Sequence, residues 1–216
     1  MGEYVIALDQ GTTSSRAVLI DRLGRIKGMS QSPFPQLFPQ PGWVEHSPKD
    51  ILSSQLKVLA ELLVSTGVLA SQIDSIGITN QRETTVVWDR VTGEPIHNAI
   101  VWQCRRTTEI VERCCSDAET AAEVTHRTGL IPDAYYSASK IAWILDAVPG
   151  ARERAEAGEL AFGTVDSWLI WNLTQGEVHA TDPTNASRTM LFNINTGQWD
   201  EWLCRLFNVP EAMLPE

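Results

Sequence analysis

The sequence predicts a mixed α/β domain, and three observations support that prediction. Short apolar runs joined by tight turns fill the first thirty residues, a capped amphipathic helix follows, and helical patterns dominate after residue 107. Strands first and helices later, joined by crossovers, are typical of this class. A chain of 216 residues can bury one sizeable core, so we expect a single domain over residues 1–216.

The first element is an antiparallel meander. Residues 4–8, 16–21 and 25–30 are short apolar runs separated by polar turns, which predicts three strands. A dinucleotide-binding fold would instead run its first strand into a helix directly after its glycines. The opening of this chain therefore does not predict such a fold.

A helix is predicted next. Ser47 stands at the cap, Pro48 at the first helical position and Asp50 in the first turn, a pattern that starts helices. Four leucines then recur at spacings of four, three and four residues: Leu52, Leu56, Leu59 and Leu63. This spacing predicts one apolar stripe that packs on the sheet.

The remaining elements follow the same reasoning. Strands are predicted at residues 73–79, with a buried-looking stretch from 75, at 84–88 and around 100–102. Helices are predicted at 107–115, 118–128, 137–147 and 166–172, with Gly129 ending the second of these. The pattern of residues 199–216 predicts a short helix followed by an extended tail. No capping or polar tail marks a natural end, so we expect the chain to be truncated.

Composition excludes several classes of function. Hydrophobic residues make up 43% of the chain and charged residues 20%, which is ordinary for a soluble globular protein. Acidic residues outnumber basic ones by 27 to 17, and no lysine-arginine block offers a footprint for nucleic acid. No signal peptide, membrane span or lipidation motif is present, and the four cysteines lack metal-ligand spacing. A cytoplasmic protein with reduced thiols is expected.

The loop at residues 9–15 is a candidate phosphate site. It offers a turn-forming Gly11 and then hydroxyl side chains, namely Thr12, Thr13 and Ser14. A turn rich in amides and hydroxyls can cradle a phosphate, Asp9 can hold a magnesium ion, and Arg16 can add positive charge. The alternative is a polar hairpin turn without a ligand. The pattern alone leaves both possibilities open.

A second candidate site is the Arg82-Glu83 pair, which follows a predicted strand. A polyol hydroxyl both donates and accepts hydrogen bonds, so a guanidinium beside a carboxylate can satisfy both halves. Neighbouring strand residues point to opposite faces, so both side chains reach one ligand only if the backbone turns or bulges there. The alternative is an exposed charge pair at a strand end.

Aromatic residues extend this candidate site. Trp102 ends a predicted strand, and its indole face can cover the CH side of a polyol; the alternative is a place in the core. Tyr135 and Tyr136 precede a predicted helix and are either hydroxyl donors to a substrate or packing residues. The polar loop at residues 181–189 either lies against the phosphate hairpin or is a capped turn.

Taken together, the motifs resemble the glycerol kinases, a branch of the carbohydrate kinase family in the actin-like ATPase superfamily. The matching segments occur in the expected order along the chain: DQGTTSSR (9–16), NQRETT (80–85), WQCRR (102–106), GTVDSWLIW (163–171) and TNASRT (184–189). Residues 135–146, which include Lys140, also resemble a signature of the wider family. The Arg82-Glu83 pair and the TNASRT loop are what distinguish the glycerol branch.

The resemblance implies a ribonuclease-H-like, actin-like fold, with a mixed sheet flanked by helices, that uses ATP and magnesium. By motif match the residues that would contact the nucleotide phosphates are Gly11, Thr12, Thr13, Ser14 and Arg16, with Asp9 near the metal. The residues that would line the glycerol pocket are Arg82, Glu83, Trp102 and Tyr135. We expect the pair at 82–83 to face one cavity within reach of the phosphates, and a full-length homo-oligomer.

Members of this family are roughly twice as long or more, and the resemblance implies a catalytic base in a Gly-Asp-Gln motif that residues 1–216 lack. We therefore assign no catalytic base within this chain and expect it to be inactive by itself. Two other functions fit the motifs less well. One is another sugar kinase of the family, acting on xylulose or gluconate; the other is a polyol-binding module without transfer activity.

Overall fold

A computed structural model describes residues 2–216 and confirms the mixed α/β class. The strands are β1 (Tyr4–Gln10), β2 (Ser14–Asp21), β3 (Ile26–Pro33), β4 (Glu45–His46), β5 (Ile73–Asn80), β6 (Val86–Asp89), β7 (Ala99–Ile100), β8 (Leu160–Gly163), β9 (Phe192–Asn193) and β10 (Gln198–Trp199). The helices are α1 (Pro48–Thr66), α2 (Thr108–Cys114), α3 (Ala118–Thr128), α4 (Ser137–Ala147), α5 (Ala151–Glu156), α6 (Val165–Leu173), α7 (Pro183–Ala186) and α8 (Glu201–Leu206). Single 3₁₀ turns lie at Ala70–Gln72 and Glu211–Met213.

The described residues form two compact units. Unit 1 comprises the chain up to Gln36 together with His46–Gln81, and unit 2 comprises Leu37–Glu45 and Arg82–Glu216. The assignment of residues 1–216 to a single domain stays a prediction. No helix within residues 2–216 has the length and apolar character needed to cross a membrane.

Unit 1 contains a four-stranded mixed sheet in the order β3-β2-β1-β5. β1, β2 and β3 are antiparallel neighbours, which confirms the predicted meander, and β5 pairs with β1 in parallel. One face of the meander is apolar and buried, because Ile6, Leu8, Ala17 and Leu19 alternate with more exposed residues along β1 and β2.

Helix α1 begins as predicted, with Ser47 Oγ accepting a hydrogen bond from Asp50 N at 3.1 Å. The predicted leucine stripe is wrong. The side chains that the helix buries are Pro48, Ile51, Ser54, Gln55, Val58 and Leu62. Two of these are polar: Ser54 Oγ lies 2.6 Å from Ser15 Oγ, and Gln55 Nε2 donates to the Arg16 carbonyl at 3.0 Å. Hydrophobic spacing cannot detect a buried face that contains two polar residues.

This corrected face leads to a stability prediction. Leu62 is fully buried against the sheet, whereas Leu56 is 44% exposed. Leu62→Ala should therefore lower the free energy of unfolding by about 2–5 kcal/mol, because it removes buried methyl groups and leaves a cavity. Leu56→Ala on the same helix should change it by no more than about 0.5 kcal/mol. Urea unfolding of the two variants checks this, and equal losses would contradict the assigned face.

Strand β5 is also different from the prediction. It lies at the end of the strand order, and most of its residues are exposed or half-buried; Ile76, for example, is 45% exposed. The prediction of a buried strand over these residues is wrong. An isoleucine-rich run looks the same in sequence whether it forms a central strand or an edge strand, because its place is set by pairing with distant segments.

Unit 2 is mainly helical around the antiparallel pair of β6 and β8. Its core combines Val87 and Phe162 from these strands with Ile141, Leu145 and Leu203 from helices. The predicted helices are confirmed within a few residues, and Gly129 ends α3 with φ 72°. The elements α5, α7, β8, β9 and β10 were not predicted from the sequence. All four cysteines are free thiols.

Candidate functional site

The hairpin between β1 and β2 brings Asp9 and Arg16 together. These residues are directly opposite in the antiparallel register, so their side chains share the face that α1 does not cover. Arg16 Nη1 lies 3.4 Å from Asp9 Oδ2, and both side chains are partly exposed. Gln31 on β3 accepts from Arg16 Nε at 3.3 Å and donates to Ser14 Oγ at 2.9 Å. The hairpin therefore presents ordered charged and hydroxyl groups.

The tip of this hairpin is closed by its own backbone. Gly11 N donates to the Ser14 carbonyl at 3.0 Å, and a Cβ at Gly11 would lie 3.1 Å from that oxygen. The Thr12 carbonyl accepts from Gln36 Nε2 at 2.8 Å, and the Thr13 carbonyl accepts from Phe34 N at 3.4 Å. The hydrogen bonds to both threonine carbonyls therefore hold the backbone of the tip in one conformation.

Asp9 is the candidate metal ligand. Magnesium in phosphoryl-transfer sites is commonly held by one or two carboxylates together with the substrate phosphates. Among residues 2–216 no cluster of three or more His, Cys, Asp or Glu side chains forms a site for a metal ion. A partly exposed carboxylate beside a hydroxyl-rich tip fits a magnesium ion that arrives with a nucleotide, and does not fit a resident structural metal.

His46 belongs to the same unit and was not predicted to be a site residue. Its Nε2 lies 2.7 Å from Gln36 Oε1, and its Nδ1 lies 3.1 Å from Gln81 Nε2. The tautomer with the proton on Nε2 satisfies both contacts. Burial lowers the pKa of His46 to about 4, so the ring is neutral near pH 7.

This shift predicts acid sensitivity. The unfolded chain takes up a proton on His46 near pH 6.5 and the folded chain only near pH 4, so protonation favours unfolding between these values. The stability contribution is present above pH 6.5 and is lost as the pH falls towards 4. Relative to His46→Gln, the native protein should lose about 2 kcal/mol of unfolding free energy between pH 7 and pH 4.5. Denaturant titrations of both proteins at both pH values measure this difference. An equal loss of unfolding free energy in the native protein and in His46→Gln would contradict the prediction.

Arg82 and Glu83 lie in a tight turn in unit 2. Thr84 N donates to the Arg82 carbonyl at 2.7 Å, and Glu83 has φ 62°, so the three residues form a γ-turn. A positive φ is costly for a residue other than glycine, and such residues cluster at functional sites. Arg82 is exposed and Glu83 is only 3% exposed, and the expectation that both side chains face one cavity stays a prediction. A turn at this position is the break in the strand that both side chains would need to reach one ligand.

The carboxylate of Glu83 is bound by Arg188 and not by Arg82. Arg188 Nε lies 2.5 Å from Glu83 Oε1, and Ser137 Oγ donates to the Glu83 carbonyl at 3.1 Å. The Arg82 side chain makes no hydrogen bond or ion pair with any of residues 2–216. Arg188 was missed as a site residue, although its TNASRT motif was noted. The partner could not be identified from the sequence because 105 positions separate the pair.

The aromatic candidates do come together. The ring centroids of Trp102 and Tyr135 are 5.3 Å apart, and those of Tyr135 and Tyr136 are also 5.3 Å apart. The Arg188 guanidinium lies 5.6 Å from the Tyr135 ring centroid and 5.1 Å from that of Tyr136. Glu83, Arg188, Tyr135 and Trp102 thus form a continuous cluster, in which aromatic faces lie next to a paired carboxylate.

Lys140 holds the tyrosine segment in place. Its ammonium group is fully buried and donates to three consecutive carbonyls: Ala134 at 2.6 Å, Tyr135 at 2.6 Å and Tyr136 at 2.9 Å. Burial lowers the pKa of Lys140 to about 7. Because all three protons of the charged form have acceptors, the ammonium rigidifies the backbone that carries both tyrosines.

The polar loop at residues 181–189 is a capped turn. The Asp182 carboxylate accepts from Thr184 N at 2.7 Å and from Asn185 N at 2.9 Å, which starts the short helix α7. Arg188 lies two residues after the end of this helix. The hydroxyls and amides of the loop therefore order the segment that positions the partner of Glu83.

Comparison with known proteins gives three findings. Residues 4–216 match the family model described as "FGGY family of carbohydrate kinases, N-terminal domain". The chain is 60% identical over 216 residues to a glycerol kinase of Clostridium botulinum (strain Eklund 17B / Type B), which covers 100% of this chain and 43% of that relative. It superposes on the crystal structure of Plasmodium falciparum glycerol kinase with ADP with a TM-score of 0.90 and 37% identity, over 99% of this chain and 42% of that one.

A gluconate kinase from Lactobacillus acidophilus superposes with a TM-score of 0.85 over 99% of this chain and 41% of its own, but shares only 22% of its residues. A likeness at that identity concerns the fold alone. The fold that the resemblance implied is confirmed by these superpositions. The chain spans less than half the length of the relatives that it matches.

Proposed function

Because this chain belongs to the FGGY family of carbohydrate kinases, we propose that the complete gene product transfers a phosphoryl group from ATP to glycerol, forming glycerol 3-phosphate. The observation that carries the proposal is the 60% identity over the entire chain to a protein named glycerol kinase. The identity to a gluconate kinase of similar fold is 22%, which makes glycerol the favoured substrate over sugar acids.

In this proposal the β1–β2 hairpin binds the nucleotide phosphates. Gly11, Thr12, Thr13 and Ser14 would supply amides and hydroxyls, and Arg16 would supply positive charge. Asp9 would hold magnesium, an ion that neutralises phosphate charge when it is bound. The partial exposure of Asp9 and Arg16 and the anchored threonine carbonyls support these roles.

The glycerol site would be the cluster around Glu83. Its carboxylate accepts hydrogen bonds from hydroxyl groups, Arg82 donates to hydroxyl oxygens, and Trp102 and Tyr135 cover the carbon chain. Phosphoryl transfer has a loose transition state, so orienting one terminal hydroxyl towards the phosphorus provides much of the rate enhancement. The ordered Glu83–Arg188 pair supports this orienting role. We assign the catalytic base to no acid of this chain.

A coupled assay of ADP release tests the proposal. The complete gene product should release ADP with ATP, magnesium and glycerol, and turnover with xylulose or gluconate should be at least about a hundredfold lower in kcat/KM. Chelation of magnesium should stop the reaction. A preference for xylulose or gluconate would favour another sugar kinase of the family, and glycerol binding without ATP consumption would favour a polyol-binding module.

The 216-residue chain provides a further check. We expect no glycerol-dependent ADP release from it above a control without protein, because general-base catalysis alone typically contributes about 10²–10⁴-fold. Release above that control would show that the residues of this chain supply the base, and would overturn the assignment above.

A further inference from the structure

We propose that His46 is a positioning residue that links the candidate phosphate-binding hairpin to Gln81, the residue that directly precedes Arg82 and Glu83 in the chain. The inference rests on the proposed function for the roles of those two segments. Its structural basis is a chain of side-chain hydrogen bonds within unit 1 that runs from the hairpin tip to the end of β5.

The chain of hydrogen bonds runs in one direction. Gln81 Nε2 donates to His46 Nδ1 at 3.1 Å, His46 Nε2 donates to Gln36 Oε1 at 2.7 Å, and Gln36 Nε2 donates to the Thr12 carbonyl at 2.8 Å. Each middle residue accepts on one side and donates on the other. Hydrogen bonds arranged in this way polarise and strengthen one another, so the loss of one bond weakens the others.

His46 cannot turn easily to other partners. The residue has 0% exposure, and the Phe34 ring lies edge-on to the imidazole with centroids 5.0 Å apart. Because the buried ring is neutral, both nitrogens are committed to the two glutamines. A solvated histidine would exchange these contacts for water, whereas this one holds Gln36 and Gln81 at fixed positions.

Both ends of the hydrogen-bond chain belong to segments with proposed ligand roles. Thr12 is at the tip of the phosphate hairpin, and Gln81 directly precedes Arg82 in the chain. Gln81 N also donates to the Gln10 carbonyl at 2.7 Å, so its backbone is tied to the hairpin strand as well. The side-chain route through His46 reaches the tip itself, which the backbone contact does not.

Two substitutions separate the two halves of the link. Asparagine places its side-chain oxygen near the position of Nδ1, so His46→Asn keeps an acceptor for Gln81 and loses the donor to Gln36. Glutamine places its amide near the position of Nε2, so His46→Gln keeps the donor to Gln36 and loses the acceptor for Gln81. The two variants are matched controls for each other because both remove the ring.

Steady-state kinetics of the complete gene product give the expected split. His46→Asn frees the hairpin tip and should raise the KM for ATP about three- to tenfold while the KM for glycerol stays within about twofold. His46→Gln should show the reverse pattern. Gln36→Met should reproduce the pattern of His46→Asn, and the double variant Gln36→Met/His46→Asn should add little to either single change.

The outcomes distinguish the two proposals. If the wild-type protein is active and the two His46 variants leave both KM values unchanged, or change them equally, this inference is overturned. His46 would then be a packing residue. If the wild-type protein does not turn over glycerol, the proposed substrate is wrong. Calorimetry of magnesium-ADP binding would then test the link between His46 and the hairpin, and we expect weaker binding for His46→Asn than for His46→Gln. Melting temperatures identify a variant that does not fold, in which case Gln36→Met and Gln81→Met provide the same comparison.

Discussion

Removing the Glu83 carboxylate, in the variant Glu83→Ala, is expected to lower kcat/KM for glycerol roughly 10²- to 10⁴-fold in the complete gene product. The carboxylate has two acceptor oxygens, and Arg188 binds one of them. Its loss would remove an acceptor for substrate hydroxyls and would also leave the Arg188 guanidinium without its partner over the tyrosine rings. Both effects disturb the orientation of glycerol.

The matched control is Glu201→Ala. Glu201 also forms an ion pair with an arginine, Arg205, but both side chains are largely exposed on α8. This variant should keep kcat/KM within about twofold, since exposed pairs contribute little. Glu83→Ala with unchanged kinetics, or with only a changed KM for ATP, would remove Glu83 from the proposed glycerol site.

Replacing Arg106 by methionine is expected to lower the free energy of unfolding by about 3–5 kcal/mol. The Arg106 side chain is fully buried, and its Nη2 lies 2.7 Å from Glu45 Oε1. The contact is an ion pair without an aligned hydrogen bond. Its guanidinium lies 3.8 Å from the Trp43 ring centroid and 4.7 Å from that of Trp143. Arg106→Met leaves the Glu45 carboxylate buried without its cation.

The neighbouring residue provides the control. Arg105 pairs with Asp133, and both side chains are about half exposed, so Arg105→Met should cost no more than about 1 kcal/mol. The double variant Arg106→Met/Glu45→Leu should recover most of the lost stability, because a buried ion pair can be replaced by apolar groups at little net cost. Urea unfolding measures the stability of all three variants. Equal losses of unfolding free energy in Arg105→Met and Arg106→Met would contradict the prediction.

Several local features of this protein can be predicted from short stretches of sequence. The turns of the opening meander, the cap at Ser47 and the end of α3 at Gly129 all depend on residues within about five positions of one another. The family could also be recognised locally, from five motifs in a fixed order. In each case the hydrogen bonds or turns concerned join neighbouring residues, so residue type and spacing are sufficient.

Features that depend on distant partners were not predictable in this way. Ser54 and Gln55 are buried because they form hydrogen bonds to β2, and β5 lies at the edge of its sheet because, among residues 2–216, it pairs with β1 alone. The partner of Glu83 is Arg188, and the link through His46 joins Gln36 to Gln81. No periodicity in the chain encodes these contacts.

The sequence was therefore sufficient for the fold class and the start of α1, because local backbone geometry depends on adjacent residues; its candidate ligand segments stay predictions. The contacts made by those segments were determined by folding. Packing brings Glu83 to Arg188 and places His46 between two glutamines, and polar groups buried in this way must find partners wherever the chain provides them.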